Sequence, residues 1–209
     1  MSESIQWHPE AISPAAKSRL LDLGQAQFSA SFYLAGDTGL ALRFGHRRSA
    51  IFDFFSRETL DAEWLLASLR EHSPSVLSRA PSTLHLLLRE IKVSYIGYPY
   101  PLLFPGDRFS TVEVADARDI ACMKLSAVAS RGTRRDFVDL YVAAKEYSLG
   151  NMLSWFVQKY AGIEYSRLHV LKSLTYFEDA EADPPLDMLA EVSWADVKDF
   201  FSRESAALL

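Results

Sequence analysis

The sequence contains one cysteine, Cys122, among its 209 residues. A disulfide within the chain and a zinc site made only of cysteines are therefore excluded. We interpret Cys122 as a small buried apolar residue of a protein in a reducing compartment. No two of the five histidines have the spacing of metal ligands, and no Ser-His-Asp or Cys-His arrangement stands out, so neither a histidine metal centre nor a nucleophile triad is indicated.

Long hydrophobic runs are also missing. The most apolar segment, VSYIGYPYPLLF at residues 93–104, is shorter than the roughly 20 residues that span a bilayer, and prolines interrupt it. The first residues, MSESIQWHPE, lack the basic start and apolar core of a secretory signal. We therefore expect a cytoplasmic protein with no membrane partner.

Neither sign of charge dominates the chain. Its net charge is −5, 23% of its residues are charged and 49% are apolar, which is typical of a globular protein and does not indicate nucleic-acid binding by the whole molecule. The basic residues are nevertheless bunched at two places: Arg43, His46, Arg47 and Arg48, and then Lys124, Arg131, Arg134 and Arg135.

Hydrophobic periodicity and capping residues predict strands in the first half of the chain and helices in the second. We predict helices at 14–26, 38–45, 59–72, 116–131, 134–147, 149–160, 166–177 and 194–205, strands at 31–35, 49–56 and, as a pair, within 83–97, and a loop at 178–187. The prediction is an α+β fold with a strand-rich part, 1–113, and a helical part, 114–209, that form one compact unit with a cleft between them.

Asp53 is an acid within the apolar strand SAIFDFFS. Because alternate strand residues share a face, it points away from Phe52 and Phe54. It is either a metal ligand on the open face of a small sheet or an edge-strand acid in solvent. The turn Gly36-Asp37-Thr38 before a predicted helix has two interpretations as well: a phosphate-binding turn, or an ordinary turn in which Asp37 caps the helix.

Lys124 and Arg131 lie two helical turns apart and share a helix face. Lys124 borders an apolar stripe, as a phosphate-binding lysine would, although a lysine that reaches into solvent fits the same position. Asp136 and Asp139 could orient these cations, or they are acids that the helix dipole favours in a first turn.

Taken together, these segments resemble the AbiEii-type nucleotidyltransferase toxins of bacterial abortive-infection and toxin–antitoxin systems. The segment FYLAGDTGLALRFGHRRSAIFDFFS resembles the opening motif, in which a small-residue turn, a helix and a basic turn precede Asp-x-Asp and two aromatics. The segment DIACMKLSAVASRGTRRDFVDLY resembles the later motif, with Lys124, Arg131 and Asp136 in its key positions. The resemblance extends from about residue 32 to residue 201.

The resemblance implies a small mixed nucleotidyltransferase sheet followed by a helical half, and the transfer of a nucleoside monophosphate from an NTP to an RNA or protein acceptor. It implies Asp53 and Asp136 as catalytic residues, Asp53 and Asp37 as ligands of Mg²⁺ or Mn²⁺, and a cognate antitoxin as partner. The residues implied to bind substrate are Gly36, Asp37, Thr38, Arg48, Lys124 and Arg131.

The chain departs from this pattern in its metal motif. The position of the first acid of Asp-x-Asp is occupied by Ile51, and Lys92 lies where many nucleotidyltransferases carry a third acid. Asp37 and Gly39 replace a small residue and an alanine of the turn. Two functions therefore stay open: an active or weakened nucleotidyltransferase, and a degenerate relative that binds a nucleotide or a protein without catalysis.

Overall fold

The computed structural model describes residues 5–209, and a seven-stranded mixed sheet forms its centre. The strands are β1 Tyr33–Ala35, β2 Ile51–Ser56, β3 Pro74–Ala80, β4 Thr83–Leu88, β5 Ile91–Gly97, β6 Asp107–Phe109 and β7 Val112–Val114. Their order in space is β3-β4-β5-β2-β1-β7-β6. Strand β2 pairs in parallel with β5 and β1 with β7, while the other neighbours are antiparallel. Asp53 therefore lies on an interior strand, and its interpretation as an edge-strand acid is wrong.

Helices lie before, between and after the strands. They are α1 Pro14–Gln25, α2 Gly36–Phe44, α3 Ala62–Ser68, α4 Ala117–Ser130, α5 Arg134–Tyr147, α6 Leu149–Lys159, α7 Arg167–Ser173, α8 Glu178–Glu181 and α9 Trp194–Leu208. The side chains of Ser13, Ser148 and Ser193 accept hydrogen bonds from backbone N–H groups in the first turns of α1, α6 and α9. These contacts confirm the predicted helix starts, because a serine at that position satisfies an otherwise unpaired donor.

The predicted α+β architecture is confirmed, since the strands lie within 33–114 and α4 to α9 follow them. Three strands, β3, β6 and β7, escaped the sequence analysis. The predicted loop at 178–187 is wrong at its start, where α8 forms one helical turn. In the part of the chain that the structure describes, no helix is long and apolar enough to cross a membrane.

Alternate residues of β2 point to opposite faces of the sheet, and the two faces have different surroundings. Phe52 and Phe54 face a core that also contains Leu20 and Leu23 of α1 and Leu65 of α3. On the other face, a cluster joins the sheet to α4, where Tyr33 and Phe55 meet Ile120 and Met123. Because α4 covers this face only in part, Ile51 and Asp53 stay accessible beside it.

Candidate active site

A cleft opens on the sheet face that carries Ile51 and Asp53. It consists of two adjoining cavities of about 370 and 480 Å³. Both are lined by Asp37, Asp53, His85, Arg131 and Asp136. The strands β2, β4 and β5 form the floor of the cleft, and α2, α4 and α5 contribute one wall.

Asp53 lies in a row of side chains that crosses three strands. Register places Ser94 of β5 beside Asp53 and His85 of β4 beside Ser94. The Ser94 hydroxyl and His85 Nδ1 are 3.0 Å apart, so the imidazole can donate to Ser94 while Ser94 donates to Asp53. Burial raises the pKa of the Asp53 carboxyl, the neighbouring Asp37 raises it further, and the Ser94 hydroxyl partly offsets the rise.

Gly36 lets the backbone approach this carboxylate closely. Its φ of +62° lies in the left-handed region, and a Cβ built on it would be 3.1 Å from Asp53 Oδ2. A side chain here would carry backbone strain and crowd Asp53 as well. The turn between β1 and α2 is thus fitted to the position of the Asp53 carboxylate.

Lys124 lies in the wall of the cleft, with 5% of its side chain exposed. Its ammonium donates hydrogen bonds to Asp37 and, at 2.8 Å, to Asp136, and it forms an ion pair with Asp139 at 2.8 Å. The interpretation of Lys124 as a solvated lysine is therefore wrong. Asp136 is fixed in turn by Thr133, whose hydroxyl donates to Asp136 Oδ2 at 2.6 Å.

Asp139 is the most enclosed member of this ionic cluster. Arg47 holds it with two hydrogen bonds of 2.7 and 2.8 Å, and His46 Nε2 lies 2.8 Å from the same carboxylate. Arg47 also lies 3.4 Å from Asp37, which Arg135 contacts at 3.0 Å. Three cations thus face three carboxylates and balance their charge: Lys124, Arg47 and Arg135 against Asp37, Asp136 and Asp139.

The cluster shifts the pKa values of its members. Burial alone would raise the pKa of the Asp139 carboxyl, but Lys124 and Arg47 lower it well below its usual range. The pKa of Asp37 is also lowered, because the attraction of Lys124 and Arg47 outweighs the effect of burial. Burial opposes the charged form of Lys124, yet the surrounding carboxylates raise its pKa.

The cluster also accounts for Asp37, which the sequence placed either at a phosphate or as a helix cap. Helix α2 begins at Gly36, and its N-terminal cap makes no side-chain hydrogen bond. Asp37 instead lies inside the first turn, where its carboxylate contacts Lys124, Arg47 and Arg135. Asp37 is thus an ion-pair partner and not a cap.

Six of the eight site residues that the sequence analysis named line one cavity of this cleft. They are Gly36, Asp37, Asp53, Lys124, Arg131 and Asp136. Thr38 and Arg48 lie elsewhere. Thr38 is buried and donates to the Ile51 carbonyl at 2.5 Å, so it joins α2 to β2. Arg48 is exposed and pairs with Asp187 at 3.2 Å.

His85, Ser94 and Arg135 were not named as site residues by the sequence analysis. The alternation of buried and open positions in β4 places His85 on the cleft face. Ser94 is buried like its neighbours in β5, and only the strand register brings both residues to Asp53. Arg135 directly precedes Asp136 in the later motif. This position next to a named site residue is the sequence feature that could have identified it.

The donor set of the cleft does not fit a two-metal centre. Within residues 5–209, no group of three or more histidine, cysteine or acidic side chains could hold a metal ion. Asp37 and Asp136 are already bound to cations, and Ile51 offers no ligand. Asp53 is then the one cleft-lining carboxylate of the described chain that makes no ion pair. Mg²⁺ prefers a set of several hard oxygen ligands, and a single carboxylate does not supply such a set.

The chain matches known proteins in sequence. The sequence model of the family described as nucleotidyl transferase AbiEii toxin of type IV toxin–antitoxin systems matches residues 89–207. An uncharacterized protein of Aquifex aeolicus is 37% identical over 180 residues, which cover 83% of this chain and 85% of that protein.

Two solved structures share the fold at low sequence identity. MenT4, a nucleotidyltransferase toxin from Mycobacterium tuberculosis, superposes with a TM-score of 0.62 at 16% identity, over 92% of this chain and 82% of that one. JHP933 from Helicobacter pylori gives a TM-score of 0.53 at 15% identity, over 94% and 93% of the two chains. With the family match over more than half of its length, the chain belongs to the AbiEii nucleotidyltransferase toxin family.

Proposed function

We propose that the protein is a nucleotidyltransferase that binds an NTP in this cleft and transfers its nucleoside monophosphate to an acceptor hydroxyl. The observation that carries the proposal is the position of Asp53. It faces the cleft from an interior strand, free of ion pairs among the described residues, and shares the cavity lining with Lys92 and Arg131. A carboxylate beside cations suits a reaction in which phosphate charge must be neutralised and a proton removed.

The chemistry assigns separate roles to these groups. The acceptor oxygen attacks the α-phosphorus, the bond to the pyrophosphate oxygen breaks, and pyrophosphate leaves. Asp53 accepts the hydroxyl proton, a role that its raised pKa favours because a stronger base takes the proton more readily. Arg131 binds phosphate oxygens through its planar guanidinium.

Lys124 and Asp136 have a positioning role in this proposal. The Lys124 ammonium is surrounded by carboxylates at 2.8 Å, so its charge is already neutralised. Together these two residues fix the wall of the cleft against the turn that carries Gly36. Asp136 therefore acts on catalysis through Lys124 and not as a base.

The family's description also guides the proposed partners. It is a toxin family of toxin–antitoxin systems, so we propose a cognate antitoxin as a partner. The acceptor is an RNA or a protein, and the activity belongs in the cytoplasm, where NTPs are abundant. Mg²⁺ and Mn²⁺ are the ions to test, although the donor set of the cleft gives them few ligands.

A transfer assay tests the proposal. Purified protein is incubated with each α-labelled NTP and total bacterial RNA, with Mg²⁺, with Mn²⁺ or with EDTA. We expect label on RNA or on protein, and we expect Asp53→Asn to abolish it. Asp199→Asn is the matched control, because Asp199 is exposed on α9. Equal labelling by the wild type and Asp53→Asn contradicts the role of Asp53.

A second candidate function is nucleotide binding without transfer. Ile51 in the place of an acid and the ion pairs of Asp37 favour it, because both remove ligands from the reaction centre. An NTP that binds to the protein but leaves no labelled product under any of these conditions would support this second function.

A further inference from the structure

The charges that face the cleft are not balanced once the ionic cluster is set aside. Asp37 and Asp136 are paired within the cluster, as is Arg135. The remaining charged residues of the cavity lining are Asp53, Lys92 and Arg131. Within the described chain, none of these three makes a salt bridge, so two unpaired cations face one unpaired carboxylate.

Lys92 has a defined place in this arrangement. Strands β2 and β5 run in parallel, with Ile51 beside Lys92 and, two residues further, Asp53 beside Ser94. Neighbouring strands lie about 4.8 Å apart, so the side chains of Ile51 and Lys92 leave the sheet next to each other. Both line the cavity, and Lys92 is exposed to solvent there.

Ile51 also explains why the ammonium is available. A carboxylate at that position would pair with the neighbouring lysine and neutralise it, as the carboxylates around Lys124 do. An isoleucine cannot pair with the lysine. Among the described residues, the Lys92 ammonium therefore has no carboxylate partner. It lies in the row of side chains next to the row that contains Asp53.

We propose that Lys92 and Arg131 neutralise the triphosphate of a bound nucleotide, so that the cleft binds NTPs without a divalent metal ion. The Lys92 ammonium supplies positive charge at the sheet, and Arg131 supplies it from the end of α4. The inference rests on the proposed function, since it concerns the same nucleotide in the same cleft. It accounts for the lack of a carboxylate set that could hold two metal ions.

Fluorescence anisotropy with a fluorescent ATP analogue, competed by each unlabelled NTP, tests the inference in Mg²⁺ and in excess EDTA. We expect the dissociation constant of the wild type to change by less than about threefold between the two conditions, since the protein's own cations make the phosphate contacts. Lys92→Gln is expected to weaken binding in EDTA by about tenfold or more, the usual effect of losing a hydrogen bond to a charged group.

Lys145→Gln is the matched control, because Lys145 is exposed on α5 and contacts Tyr141 outside the cleft. Binding of NTPs to the wild type that disappears in EDTA overturns the inference and leaves the proposed function intact. Equal affinities of Lys92→Gln and Lys145→Gln in EDTA overturn the role of Lys92. No binding of any NTP under either condition rejects the proposed function together with the inference.

Discussion

At the scale of single residues, Gly36 gives the sharpest structural prediction. Ala at this position would keep a positive φ and place its Cβ 3.1 Å from Asp53 Oδ2. We expect Gly36→Ala to lower the free energy of unfolding by about 1–2 kcal/mol, mainly through the left-handed backbone. Thermal denaturation measures the change.

Gly150→Ala is the control for this substitution. Gly150 lies in α6, and a Cβ there would meet only Leu208, at 3.8 Å. Alanine is the better helix former by about 1 kcal/mol, so this variant should be neutral or more stable. Equal destabilisation by both substitutions would contradict the strain assigned to Gly36.

Ile51 gives a prediction about ligand binding. Ile51→Asp would place a second carboxylate on the same strand face as Asp53, two residues away, and without a metal ion this carboxylate would neutralise Lys92 beside it. We expect Mg²⁺ to strengthen NTP binding to this variant by about tenfold, equivalent to ~1.4 kcal/mol. Calorimetric titration with and without Mg²⁺ measures the effect. If Mg²⁺ leaves the affinity of Ile51→Asp unchanged, Ile51 does not occupy a metal-ligand position.

At the scale of secondary-structure elements, the ionic cluster joins three parts of the chain. Asp139 of α5 binds Lys124 of α4 as well as His46 and Arg47, which follow α2. Asp139→Asn would leave buried cations without their counter-charge, which costs about 3–5 kcal/mol of folding stability. Urea denaturation should show this loss, whereas Asp199→Asn should change stability by less than about 0.5 kcal/mol. A loss below about 1 kcal/mol for Asp139→Asn would contradict the structural importance of the cluster.

The predictability of each element follows from how much apolar surface it buries. Helix α5 was predicted with its observed ends, because an apolar face marks it in the sequence. Strand β3 was missed because it lies at the edge of the sheet and is almost wholly exposed. Strands β6 and β7 have three residues each, too few for an alternation to be recognised.

Only part of the candidate site could be predicted from the sequence. Asp53, Gly36 and Arg131 could be named from local motifs and their resemblance to a family. The contacts of Lys124 could not, because they depend on how α4 and α5 pack against the turn after β1. His85 and Ser94 depend on strand register, which is set by pairing between distant segments.

At the scale of the whole molecule, the lowered carboxyl pKa values predict acid sensitivity. Asp37 and Asp139 have pKa values below their ordinary range in the folded state. Their contribution to stability is present above the unfolded-state pKa of about 3.9 and is lost as pH falls through the folded-state values. We expect the free energy of unfolding from urea titrations to decrease below about pH 4.

Asp139→Asn provides the comparison for this pH dependence. The variant lacks one of the two carboxyls of the ionic cluster whose pKa is lowered, so its stability should fall less steeply with acid than that of the wild type. Parallel acid profiles of the two proteins would show that Asp139 does not supply the acid-sensitive stability.

The most direct test of the nucleotide cleft compares two arginines that the sequence analysis named together. Arg131 lines the cleft, whereas Arg48 is exposed beside Asp187 outside it. In anisotropy titrations with a fluorescent ATP analogue, Arg131→Gln should weaken binding by about tenfold or more, the effect of losing a charged hydrogen bond. Arg48→Gln should bind like the wild type. Wild-type affinity in Arg131→Gln, or an equal loss in both variants, would contradict the assignment of the nucleotide to this cleft.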